Sequence, residues 1–206
     1  MSSDCGCTPV APDTKSQRRV LHIALGLNAM MFVVEVTAGL LANSTGLLAD
    51  GLDMLADASA YAIALTAIGR SGRFKANAAT LSGVLLLILG LGVIIDAVRR
   101  IISGELPEGL WMIGIAAAAL AVNATVLRLL SKERNQEVHM RTTWIFTRAD
   151  VVANTALILA GIAVVLTGIR YFDLIVGIGI GLYVVKEAIE ILSEAREAKR
   201  AEAPNG

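Results

Sequence analysis

The chain has 206 residues, of which 55% are hydrophobic, a share that a soluble domain of this size rarely reaches. Lysine plus arginine and aspartate plus glutamate number 18 each, so the net charge is zero and gives no basis for a nucleic-acid partner or for binding at a membrane surface. Two cysteines, Cys5 and Cys7, are too few and too close together for a disulfide-stapled secreted fold.

Residues 1–19 read as a polar cytoplasmic tail. Its "DCGC" could hold a soft metal ion transiently between Cys5 and Cys7, although two thiolates do not close a site. The first apolar run follows Lys15, Arg18 and Arg19, as in a signal peptide. It runs from Val20 to Ala42, too long for a signal h-region, and contains Glu35, so it reads as a retained helix.

A bilayer core about 30 Å thick needs roughly 20 apolar residues per helix. Runs of that length recur at Gly46–Ile68, Asn77–Ile101, Leu110–Leu130, Thr143–Leu166 and Phe172–Leu192, with short polar connections that make neighbours antiparallel. The expected architecture is an all-α membrane protein: a six-transmembrane-helix bundle over residues 20–192, a short cytoplasmic tail at 193–206 and no soluble domain. The charged stretch "KEAIEILSEAREAKRAEA" has helical spacing and would extend the sixth helix.

Basic residues cluster on one side. Lys15, Arg18 and Arg19, then Arg70, Arg73 and Lys75, then Arg128, Lys132, Arg134 and Arg141, then Lys186, Arg196, Lys199 and Arg200 alternate with loops that hold only Arg99, Arg100 and Arg170. Positive loops stay in the cytoplasm, so both termini are expected there, in a bacterial inner membrane.

An ionised side chain near the bilayer centre costs about 2.5–3.5 kcal/mol on insertion, so each intramembrane acid needs a partner or a role. In the second run, "LLADGLDMLADASAY" sets Asp50, Asp53 and Asp57 at i, i+3 and i+7, on one helix stripe. In the fifth, "TRADVVANTA" puts Asn154 one turn after Asp150. The first adds Asn28 and Glu35, and the fourth adds Asn123. Carboxylates this close repel unless a cation or a proton lies between them. A divalent cation meets that need, with Asp53, Asp57 and Asp150 as first ligands, water, Asn154 or Asp50 to complete the set, and Glu35 as a proton carrier or helix-pairing group rather than a ligand. The bland alternative is a polar network that joins helices through hydrogen bonds. Asp96 and Arg100 read as an interfacial ion pair, and Gly177 with Gly181 as a small-residue packing face. His22 and His139 read as interfacial rather than ligating.

The segment "STGLLADGLDMLADASAYAIAL" resembles the second helix of the cation diffusion facilitator family, which carries a histidine or aspartate followed four residues later by an aspartate, here Asp53 and Asp57. The family's fifth helix usually carries histidine, three residues, then aspartate. Its aspartate matches Asp150, while Phe146 stands at the histidine position. Glu35 and Asn123 also fit the pattern. The resemblance implies a homodimeric transporter, not an enzyme, with no resident cofactor, that exports divalent transition metal in exchange for protons by alternating access. It implies zinc first, while the absent imidazole admits manganese, cobalt, iron or cadmium. It also implies a short form without the family's C-terminal cytoplasmic domain, which leaves dimer contacts to the membrane helices. Two rivals come from other classes. An intramembrane aspartyl protease also pairs acids from two helices, but the chain has no glycine-x-glycine-aspartate motif. A channel or membrane scaffold would not need three acids on one stripe.

Overall fold

The computed structural model describes residues 15–66, 71–133 and 138–201, the side chains of 16, 17, 131–133, 138–148 and 201 excepted. Cys5, Cys7, Arg70 and Arg134, and the side chains of Lys132, His139, Arg141, Phe146 and Arg148, therefore lie outside the described residues.

Six helices follow one another: α1 Lys15–Leu41, α2 Thr45–Thr66, α3 Gly72–Ser103, α4 Gly109–Glu133, α5 Val138–Thr167 and α6 Tyr171–Ala201. Among the described residues every regular element is helical. Most run past the apolar stretches that announced them, because backbone hydrogen bonding continues into the charged flanks. α6 extends beyond Leu192 to Ala201. The turns between helices are tight. Asn43 takes the left-handed conformation (φ 52°) that asparagine tolerates just after a helix, and the Ser44 N–H bonds back to the Gly39 carbonyl at 3.0 Å. Gly104 (φ 79°) ends α3 in the same conformation.

α3 packs most extensively on α6, α4 on α5 and α1 on α2, while α2 also lies against α6, α3 and α5. The apolar cores follow these seams. Leu52, Ala56, Leu86, Val93, Val184 and Ala188 join α2, α3 and α6, and Leu47, Met112, Ala116 and Leu157 join α2, α4 and α5. α2 is thus the inner helix, buried along most of its length from Thr45 to Ala58.

The outer surface is apolar, with Leu81 73%, Ile95 69% and Leu166 78% exposed, as lipid contact demands and water would not favour. Among the described residues four helical stretches are long and apolar enough to cross a membrane: Arg18–Leu41, Gly72–Ser103, Gly109–Leu130 and Ala149–Thr167. The two helices outside that set, α2 and α6, are those with the most acids in their interior: Asp50, Asp53 and Asp57 in one, Asp173, Glu187 and Glu190 in the other. On α2 these acids lie where neighbouring helices shield them, whereas Glu190 of α6 is exposed.

Candidate metal centre

The stripe read from the sequence faces inward. Asp50 is fully buried, Asp53 is 7% exposed, and Asp57 is half-buried one turn further on. α5 presents Asp150 at 5% exposure and a fully buried Asn154. The Asp150 carboxyl lies within side-chain hydrogen-bonding reach of both Asp53 and Asp57. The Asn154 amide donates to Asp50 Oδ1 at 3.5 Å and to the backbone carbonyl of Asp150 at 2.8 Å, which ties α5 to α2 beside the acids. From α1, the fully buried Glu35 sets its carboxyl against that of Asp50. The Tyr61 hydroxyl donates to Asp57 Oδ2 at 3.3 Å.

Acids from three helices therefore meet in one buried region with little to balance them. Among the described residues, both Glu35 oxygens, Asp50 Oδ2, Asp150 Oδ2 and Asn154 Oδ1 have no hydrogen-bond donor. Two facing carboxyl groups can bond only through a shared proton or a shared cation, and burial without either is costly. The arrangement is a run of pairwise neighbours, Glu35 with Asp50 and Asp150 with Asp53 and Asp57, rather than a closed cage. Among the described residues no three His, Cys, Asp or Glu groups converge tightly enough to hold one metal ion as they stand.

Two buried or half-buried acids of α6 were passed over by the sequence reading. Glu187 is half-buried, and its Oε1 accepts from the Tyr183 hydroxyl at 3.1 Å. It looked like one more charge in a mixed-sign helix end, and only its register relative to Gly177 and Asp173 could have hinted that it turns inward. Asp173, 1% exposed, caps α2: it accepts from the Ser44 hydroxyl and from the N–H groups of Thr45 and Gly46.

The remaining polar residues have quieter places. Asn28 donates to the Ala24 carbonyl of its own helix at 2.9 Å. Asn123 is fully buried, and among the described residues neither of its side-chain polar atoms has a partner. His22 is exposed and bonds the Arg18 carbonyl of its own helix at 2.7 Å. Asp96 pairs with Arg100 as expected, and with Arg99 too, while Glu105 extends the pairs into a network.

The model of the cation efflux transmembrane domain matches residues 21–198. Among curated relatives, the metal cation efflux system protein CzcD of Cupriavidus metallidurans is 27% identical over 179 residues, 81% of this chain and 57% of its own length. The zinc transporter ZitB of Escherichia coli is 29% identical over 199 residues, 89% of this chain and 63% of its own. The cadmium, cobalt and zinc/H(+)-K(+) antiporter of Bacillus velezensis is 27% identical over 200 residues, 87% of this chain and 64% of its own. The chain thus spans somewhat under two thirds of the length of these relatives. These are transporters, which removes the protease alternative. A match that covers α1 through most of α6, on a six-helix bundle with an apolar outer surface, makes the chain a member of the cation efflux family of integral membrane transport proteins, the cation diffusion facilitators.

Proposed function

We propose that the protein exports divalent transition-metal ions, zinc first, in exchange for protons by alternating access. The observation that carries this reading is the meeting of Asp53 and Asp57 of α2 with Asp150 of α5 in a buried region where Asp150 Oδ2 has no donor among the described residues. A dication satisfies such a region in one conformation and two or more protons satisfy it in another, so the same oxygens bind either cargo. Asp50 and Asn154 complete the oxygen set, Glu35 carries protons through its contact with Asp50, and Cys5 and Cys7 deliver metal from the tail. Residues 20–192 form the transport core, which works as a homodimer with both termini in the cytoplasm.

Zinc stands first because the names of relatives such as ZitB and the antiporter of Bacillus velezensis include it. Manganese, cobalt, iron and cadmium are the alternatives, since an all-oxygen donor set without the imidazole is less selective for zinc.

The test is purified protein in proteoliposomes with a trapped pH dye and a trapped metal indicator. Zinc added on one side should move inward and drive protons out, and Asp57→Ala or Asp150→Ala should remove both signals. Undiminished metal movement in these two variants would overturn the site, and metal movement without any proton signal would overturn the exchange.

A further inference from the structure

Tyr61 follows Asp57 by one helical turn, and its hydroxyl donates to Asp57 Oδ2 at 3.3 Å. The i, i+4 spacing puts both side chains on one face of α2. Tyr61 is only 3% exposed, so the hydrogen bond is made away from water, where it is stronger. Its ring is seated by other helices: Val20, Leu21 and Ala24 of α1 and Val126 and Leu130 of α4 share one apolar cluster with it. Phenylalanine would fill such a seat as well, whereas a buried phenol also needs an acceptor for its hydroxyl. The acceptor here is an oxygen of a carboxylate that lies within reach of Asp150, so the phenol fixes how Asp57 can meet a cation.

We propose that Tyr61 is a positioning residue that restricts Asp57 to binding the cargo through one oxygen, and that it thereby tilts the site toward ions of low coordination number. The inference rests on the metal-transport reading above. With Oδ2 engaged by the hydroxyl, Oδ1 is the oxygen left to face the cation. Zinc is satisfied by four ligands in a tetrahedron, so one oxygen from each carboxylate suffices. Manganese takes six oxygens, and a carboxylate that binds through both of its own helps to supply them. The hydrogen bond also sets the direction of the oxygen that ligates, as partners behind a metal ligand commonly do. In a site whose donors are oxygens, the phenol thus supplies by geometry part of the zinc preference that an imidazole supplies by its chemistry. Because α1 and α4 seat the ring, these two helices help to shape the site without giving it a ligand.

The test is competition calorimetry of Zn²⁺ against Mn²⁺ on the purified full chain in detergent, with thermal unfolding of the metal-free protein alongside. Tyr61→Phe keeps the ring and removes the hydroxyl. In that variant Zn²⁺ should bind about tenfold more weakly, while Mn²⁺ stays within about threefold of the parent. The exposed Tyr171→Phe should match the parent for both ions. Should Tyr61→Phe fail to fold, Tyr61→Leu repeats the measurement without the hydroxyl. A hydroxyl that only steadies packing weakens the two ions alike. An unchanged ratio of affinities, whether both hold or both fall together, therefore overturns the inference, and the transport reading survives it if Asp150→Ala has lost both metals. If Asp150→Ala binds both as the parent does, the transport reading itself fails.

Discussion

The Ser44 hydroxyl donates to Asp173 Oδ1 at 2.6 Å across 129 positions of sequence, so a carboxylate from α6 sits on the amino end of α2. The same group accepts from the N–H of Thr45 at 2.8 Å and of Gly46 at 3.0 Å, while the Ser44 oxygen accepts from the N–H of Leu47. Four otherwise unpaired donors are satisfied where the helix dipole favours negative charge. Because the acids of α2 lie one to three turns below this cap, it sets their depth in the bundle.

Asp173→Ala should accordingly be among the most damaging single changes outside the acid cluster. It leaves three buried donors without an acceptor, at about 1–3 kcal/mol each, so a loss of roughly 3 kcal/mol or more is expected. Ser44→Ala should cost about 1 kcal/mol or somewhat more, as losses of a capping side chain do. Thermal unfolding in detergent reads both. Equal, small shifts for the two variants would mean that the cap does not anchor α2.

The glycine face of α6 divides in two. A methyl group on Gly177 would stand 2.7 Å from the backbone nitrogen of Gly46 and 2.7 Å from the carbonyl carbon of Thr45, and backbone cannot rotate aside. On Gly181 the nearest atoms would be side-chain carbons of Ile94 at 3.6 Å and Val93 at 3.7 Å, ordinary contact. Gly177→Ala should therefore push α6 off the start of α2 and destabilise by about 1–3 kcal/mol, as overpacking does, and Gly181→Ala should be neutral or slightly stabilising. The pair was legible as a motif, but only the structure separates the working member from the spare one.

Much of the bundle was readable because its physics is local. A lipid-facing helix advertises itself by an unbroken apolar run, and acids at i, i+3 and i+7 must share a stripe whatever surrounds them. The meeting of Asp150 with Asp53 and Asp57 was inferable from the cost of leaving each acid alone in low dielectric. What the sequence could not give depends on long-range register. Glu187 and Asp173 lie on a helix whose rotation is fixed by packing on α3 and α2, and nothing within α6 distinguishes the inward Glu187 from the outward Glu190. The same reason hides the pairing of Glu35 with Asp50.

Phe146 lies one helical turn before Asp150, at the place where the resembling family carries a histidine. Phe146→His would add an imidazole on the Asp150 side of α5 at the i, i+4 spacing that lets two side chains share a ligand. Imidazole favours zinc over manganese, so the variant should bind Zn²⁺ more tightly than the parent by roughly tenfold and leave Mn²⁺ within about threefold. Competition between the two ions in one calorimetric cell measures the ratio directly. An unchanged ratio would show that residue 146 does not reach the cation and that zinc preference, where present, comes from elsewhere.

Glu35 offers the sharpest separation of proton handling from metal handling. It is fully buried on α1, its side-chain contact in the acid system is with Asp50, and among the described residues neither of its oxygens has a donor. A group so placed can pass a proton to the site through Asp50, whereas Asp150 lies beside the aspartates of α2 themselves. Metal affinity of the parent should rise with pH, because carboxylate oxygens must give up protons before they ligate, and fall as protons compete in acid. Glu35→Gln removes one exchangeable proton and keeps the shape, so affinity near neutral pH should stay within about threefold while the pH slope flattens. In proteoliposomes the same variant should still take up metal down its own gradient, with a smaller proton signal per ion. Asp150→Ala, by contrast, should lose affinity at every pH. Should Glu35→Gln keep the full pH slope and the full proton signal, the proton path runs through the aspartates alone, and the contact of Glu35 with Asp50 only holds α1 to α2.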